Sequence, residues 1–182
     1  TRANRLLQRL PGNAMLFEKL LIPDLYLPGF AALTPAFCRS HGFTHIISDI
    51  DNTLVTYDDA EPTEELLAWL RNMRENEITI AFLSNNKPPR VERFNRSLGY
   101  IAHADAGKPG GKVLQSILDT WQCAPENVIF LGDQLLTDAA CGKRAGLYTV
   151  IVPPIHDRTD LFHRAKRLIE KPYIRKYHRL HS

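Results

Sequence analysis

The 182-residue sequence predicts an α/β fold, a Rossmann-like parallel sheet with helices on both faces. Three observations carry that prediction. Short apolar runs rich in β-branched residues recur at about 44–49, 77–83, 100–103, 127–131 and 147–152. Between them lie stretches whose apolar residues repeat at helical spacing, and such alternation implies right-handed βαβ crossovers in one sheet. The third observation is that the polar clusters richest in chemistry fall just past the ends of the strands. In a parallel sheet this is where the ligand crevice opens.

Taken in order, residues 2–10 set Arg2, Arg5 and Arg9 beside Leu6, Leu7 and Leu10, the pattern of a short basic amphipathic helix. The run from Ala14 to Leu33 is apolar but is broken by Glu18, Lys19, Pro23, Asp24 and Pro28. It falls short of the roughly twenty consecutive apolar residues of a membrane span and lacks the small-residue cleavage pattern of a signal peptide. Residues 1–40 are therefore expected to form a strap, residues 41–152 a catalytic core, and residues 153–182 basic C-terminal helices, all in a single domain. Pro62-Thr63 opens a helix with Leu66, Leu70 and Met73 on one face. Pro88-Pro89 opens another, carrying Val91, Phe94 and Leu98 and ending at Gly99. Val113, Leu114, Ile117, Leu118 and Trp121 mark a third, and a fourth runs from about Leu135 to Gly146. After the last strand, Pro172 is expected to divide two helices at about 159–170 and 173–180.

The chemistry concentrates in Ile46-Ile47-Ser48-Asp49-Ile50-Asp51-Asn52-Thr53. Side chains at i and i+2 of a strand share a face, so Asp49 and Asp51 are expected to share a pocket. Two carboxylates at that range resist joint ionisation unless a cation or a shared proton intervenes. Read alone, the same residues also suit a turn or a helix cap.

Asp49-Ile50-Asp51-Asn52-Thr53, Phe82-Leu83-Ser84-Asn85-Asn86, Gly107-Lys108-Pro109 and Leu131-Gly132-Asp133 continuing to Asp138 resemble, in order, the four motifs of the haloacid dehalogenase (HAD) superfamily of phosphoryl-transfer enzymes. Ile22-Pro23-Asp24-Leu25-Tyr26 and Gly132-Asp133-Gln134-Leu135-Leu136-Thr137-Asp138 narrow the resemblance to YqeG-type phosphatases, relatives of phosphatidylglycerophosphate phosphatases. The resemblance implies Asp49 as nucleophile, forming an aspartyl-phosphate, and Asp51 as general acid and base. It implies a Mg²⁺ site of Asp49 (carboxylate), Asp51 (carbonyl), Asp133 and Asp138, the last by direct contact or by orienting a bound water or Lys108. Ser84, Asn85 and Lys108 would bind the phosphoryl group. Lys112, four residues on, rivals Lys108, and Asn85 and Asn86 suit phosphate contact or a turn equally. Only thirty residues lie between Thr53 and Ser84, and Ser84 and Lys108 are 24 positions apart, so neither gap can house the cap domain of many family members. A capless core with an open site is expected.

Charge is uneven along the chain. Residues 156–182 hold eight Lys/Arg against three Asp/Glu, residues 1–20 four against one, and the middle 11 against 16. Basic ends around an acidic body suit an anionic partner, such as a phospholipid surface, or simply solvated helix faces. On the face formed by Leu161, Phe162, Ala165, Leu168 and Ile169, packing against the sheet is the favoured reading over membrane docking. Three scattered cysteines fit a reducing compartment, and the expected location is cytoplasmic, with peripheral contact at the inner face of the membrane. No nucleic-acid-binding motif is evident. A soluble sugar or nucleotide phosphate, with a homo-oligomer partner closing the pocket, is the alternative to the lipid substrate. A non-catalytic RNA- or protein-binding module is the reading from another class, and the complete acid–Ser–Lys–acid set weighs against it.

Overall fold

The computed structural model describes residues 12–59, 61–156 and 161–181. The expected basic helix at 2–10 lies outside them. Six strands form one parallel sheet: β1 (Leu25–Tyr26), β2 (His45–Ser48), β3 (Thr79–Leu83), β4 (Ile101–His103), β5 (Val128–Gly132) and β6 (Tyr148–Ile151), in the spatial order β1-β6-β5-β2-β3-β4. The helices are α1 (Gly12–Leu21), α2 (Pro35–His41), α3 (Glu64–Glu75), α4 (Pro88–Asn95), α5 (Lys112–Trp121), α6 (Ala140–Arg144) and α7 (Leu161–His181). A single wide π turn, Leu135–Ala139, leads into α6.

The side-chain alternation of parallel strands builds two cores from one sheet. Ile46, Ile80, Phe82, Ile129 and Leu131 face α3 and α4, packing on Leu66, Leu70, Met73, Val91 and Phe94. Ile47, Ala81, Leu83, Val128 and Phe130 face the other way, onto Leu114, Ile117 and Leu118 of α5. Phe82, Phe94 and Phe130 are fully buried, each contributing on the order of 1.5–3 kcal/mol from burial alone. Thr63 starts α3 by accepting a hydrogen bond from the Leu66 N–H at 3.2 Å, and Glu64 and Glu65 in its first turn complement the helix dipole. The central strand β2 aligns Ser48 with Phe82 of β3 and Leu131 of β5, so three strand ends converge at one edge.

Two expectations are corrected. Pro172 does not divide the C-terminal segment: α7 is one helix with the proline inside it. A helix-interior proline costs about 3 kcal/mol, and here contacts near and beyond it hold the helix together. Glu170 accepts a hydrogen bond from the Leu136 N–H at 3.1 Å, Tyr173 and Ile174 pack on Leu135 and Ile151, and the Tyr177 hydroxyl accepts from the Tyr26 N–H at 3.0 Å. Nor does the apolar face named from the sequence pack on the sheet throughout. Leu168 is 66% and Ile169 54% exposed, because Glu170, Tyr173, Ile174 and Tyr177 turn toward the body instead.

The strap also does more than wrap. Leu25–Tyr26 is an edge strand paired with Val150–Ile151, pinned by the Asp24 carboxylate, which accepts from the Thr149 N–H at 2.7 Å and hydroxyl at 2.9 Å. Residues 35–41 form a helix within it, with Thr34 capping and Pro35 at its start.

Candidate active site

β2 ends at Ser48, one further bond runs from the Asp49 N–H to the Leu131 carbonyl at 2.9 Å, and the chain turns after Asp51. Asn52 occupies the left-handed region at φ 66°, which asparagine tolerates, and its N–H bonds to the Val55 carbonyl at 2.7 Å. Asp49 and Asp51 flank the core residue Ile50 and line one pocket, as side-chain alternation leads one to expect. Both are 7% exposed.

Their side chains then part company. Asp49 Oδ1 lies 2.6 Å from Lys108 Nζ, and Thr53 donates its hydroxyl to Asp49 Oδ2 at 3.1 Å. Lys108 Nζ is also 2.8 Å from Asp138 Oδ1, so one ammonium bridges two carboxylates. Oxygens of Asp49, Asp133 and Asp138 lie within 4.8 Å of one another, all on buried residues. Asp138 Oδ2 accepts from the Asp133 and Gln134 N–H groups at 3.2 and 3.1 Å, folding the loop after β5 around that carboxylate. The fit requires Gly132: a Cβ there would sit 2.4 Å from the Asp138 Cβ. Asp51, in contrast, accepts from Asn86 at 2.6 Å and pairs with Arg90 of α4 at 2.8 Å.

Electrostatics follow from this packing. Burial pushes the Asp49 carboxyl up to about 6, against the pull of Lys108, while Asp138 and Asp51 push it further. Burial alone would lower the Lys108 ammonium, but Asp138 and Asp49 together hold it above its ordinary range. Phe130 lies beneath Lys108, 5.7 Å from nitrogen to ring centre. Burial raises the Cys141 thiol to about 11, which makes it a poor nucleophile at neutral pH.

The family model for haloacid dehalogenase-like hydrolases matches residues 5–146. Along most of its length the chain is also similar to the probable phosphatase YqeG of Bacillus subtilis, 32% identical over 156 residues, covering 86% of this chain and 91% of that one. The chain belongs to the haloacid dehalogenase-like hydrolases. Its enzyme type is that of a HAD-family phosphatase. A chloroplastic phosphatidylglycerophosphate phosphatase of Chlamydomonas reinhardtii is 28% identical over 149 residues, 76% of this chain and 55% of that protein. The fold is shared with the cobalt-bound deoxy-D-mannose-octulosonate 8-phosphate phosphatase of Haemophilus influenzae, with TM-score 0.51 and 12% identity over 75% of this chain and 90% of that one.

In this HAD-family hydrolase, Asp49, Asp51, Ser84, Asn85, Lys108 and Asp138 line one pocket, with Asp133 beside them in the acid cluster. Lys108 is buried and lines the pocket, whereas Lys112 is exposed. The Asn85 amide clasps the Lys108 backbone twice, donating to its carbonyl at 3.0 Å and accepting from its N–H at 2.8 Å. Ser84, 2% exposed, accepts from the Asn86 N–H at 3.0 Å. Sequence reasoning missed Arg90 and the pairing of Asn86 with Asp51. The available signal was weak: an arginine two residues after the Pro88-Pro89 helix start. It missed Lys166, Gln134, Thr137 and Tyr57, which complete the pocket wall. Among the described residues, single helices with their loops fill the intervals from β2 to β3 and from β3 to β4, so no cap domain stands there. Nor is any described helix long and apolar enough to cross a membrane.

Proposed function

We propose that this enzyme is a Mg²⁺-dependent phosphomonoester hydrolase that works through an aspartyl-phosphate on Asp49, with phosphatidylglycerophosphate as substrate and the whole chain acting as one domain. One observation carries the mechanism: a buried triad of carboxylates with a single lysine bridging two of them. A set of hard oxygen donors brought this close suits a small divalent cation of the Mg²⁺ type. Asp49 and Asp133 would hold it, with the Asp51 carbonyl beside them. When bound, the cation neutralises the acid cluster and draws charge from the phosphoryl oxygens.

The remaining chemistry belongs to the chain. A carboxylate oxygen of Asp49 attacks phosphorus, and the bond from phosphorus to the alcohol oxygen breaks. Asp51 gives that oxygen its proton. Asp51 then takes a proton from the water that attacks the aspartyl-phosphate, releasing inorganic phosphate and restoring Asp49. Arg90 and Asn86 orient Asp51 away from the Lys108 side of the pocket. Ser84 and Lys108 offer donors to the phosphoryl oxygens, close to the start of α4. Lys108 also limits repulsion between Asp49 and Asp138.

The lipid substrate is supported by the name of the Chlamydomonas relative and by the open pocket, which leaves room for a headgroup presented at a surface, the setting of the proposed peripheral site at the cytoplasmic face. The test is phosphate release from dilauroyl phosphatidylglycerophosphate, a sugar phosphate, a nucleotide and a phosphopeptide, each with Mg²⁺, Ca²⁺ or EDTA. We expect the lipid to turn over fastest, Mg²⁺ to support activity, Ca²⁺ to support it poorly because of its longer bonds and looser geometry, and EDTA to abolish it. Faster hydrolysis of the soluble esters would overturn the lipid assignment. Full activity in EDTA would overturn the metal.

A further inference from the structure

We propose that Lys166 is the residue through which the enzyme selects its substrate: it takes a second anionic group, of the phosphate or phosphodiester class, on the alcohol side of the bond that is cut. The inference rests on the phosphatase reading and extends it to the leaving group.

Lys166 belongs to none of the four sequence motifs. It lies on α7, yet it lines the same pocket as Asp49, Asp51 and Ser84. Of the described residues lining that pocket, two carry positive charge, Lys108 and Lys166. They sit at different depths. Lys108 is 6% exposed at the base, where it bridges Asp49 and Asp138. Lys166 is half-buried, on a helix whose neighbouring residues Leu168 and Ile169 are exposed. A phosphomonoester whose phosphorus meets Asp49 must direct its alcohol portion outward from the base. An anion on that portion would meet the rim, where Lys166 stands.

The fold holds Lys166 in register. Its ammonium donates to the Gln134 side-chain oxygen at 3.3 Å, and the Gln134 N–H donates to Asp138. One turn further along α7, Glu170 is fully buried and accepts from the Leu136 N–H. Two polar contacts thus dock α7 on the loop that carries Asp133 and Asp138. A lysine offers a compact charge on a flexible stem, which suits a phosphodiester or phosphate oxygen at the mouth. Acidic residues dominate the base, so an anionic substituent gains most where this cation is closest.

Steady-state kinetics of the full chain with Mg²⁺ test the proposal, using Lys166→Gln and Lys166→Arg and three substrates. These are p-nitrophenyl phosphate, which has one anionic group; water-soluble glycerophosphoglycerol phosphate, which has two; and its dilauroyl form in mixed micelles. Lys166→Gln should raise KM for both two-anion substrates about 10-fold more than for p-nitrophenyl phosphate, with kcat altered by less than about 3-fold. Lys166→Arg should recover most of the preference. A purely structural role, acting through Gln134 and the loop, would lower kcat/KM by one common factor on all three substrates, and that result would overturn the inference. An effect confined to micelles would overturn it too, because it would place the lysine on a lipid surface and not on the substrate's second anion. If the wild-type enzyme releases phosphate from none of the three, the phosphatase reading fails and this inference fails with it.

Discussion

Replacing Lys108 with methionine keeps most of the side-chain volume and removes one charge from a site that holds three buried carboxylates. In the wild type its ammonium lies 2.6 Å from Asp49 and 2.8 Å from Asp138. Removing one partner of a buried ion pair leaves the other charge uncompensated, at a cost of about 3–5 kcal/mol. For a chain of this size each kcal/mol moves Tm by about 2–4 °C, so the variant should melt roughly 6–20 °C below wild type in EDTA at pH 7.5. The Lys108 ammonium is held above its ordinary range, so its contribution is fully present throughout the neutral range and is lost only at strongly alkaline pH. The deficit should narrow as pH falls toward about 6, because Asp49 without the pull of Lys108 takes up its proton at higher pH than in the wild type. Lys112→Met is the control: Lys112 is exposed, and such a change should stay within about 0.5 kcal/mol. Thermal melts by circular dichroism across pH 5–8 provide the measurement. A Lys108→Met variant melting within about 2 °C of wild type at pH 7.5 would refute the account of Lys108 as the charge that holds the cluster together.

Asp49→Asn should abolish turnover, because the amide keeps the shape and loses the nucleophile; phosphate release near the wild-type rate would sink the covalent step. The same variant tests the pH linkage. The Asp49 carboxyl is raised from its ordinary 3.8 to about 6, so its favourable contribution is complete below about 3.8 and is lost as pH rises through about 6, on the order of 3 kcal/mol. In EDTA the asparagine variant should therefore show a flatter Tm profile between pH 5 and 7, and a parallel profile would contradict the burial argument. Arg90→Met frees the Asp51 carboxylate from its 2.8 Å partner and should lower kcat by about 10- to 100-fold; an unchanged kcat for an ester with a poor leaving group would exclude an orienting role. Gly132→Ala drives a methyl to 2.4 Å from the Asp138 Cβ. It should cost about 1–3 kcal/mol and weaken Mg²⁺ binding measured by calorimetry, whereas wild-type stability and affinity would show that the loop can yield.

Much of the fold and of the candidate site was legible in the sequence, since both depend on signals a few residues long. The β-branched run ending at Ser48, the Asp49–Asp51 spacing and the Thr63 and Pro88 helix starts are local chemistry, and local chemistry survives in one dimension. The two-residue strand at Leu25–Tyr26 left no such signal, because an edge strand this short exists only by pairing with β6. Pro172 reads as a helix breaker, and the tertiary contacts of Glu170, Tyr173 and Tyr177 override it. Arg90 meets Asp51 from 39 positions away, and Lys166 reaches the pocket from a segment outside every motif. By itself, then, the sequence determined which residues are candidates for the chemistry and that they lie at strand ends. The tertiary structure alone decided which cation each carboxylate meets and what stands at the mouth of the pocket. Such pairings depend on the register of parallel strands and on close packing between distant segments, neither of which has a local pattern.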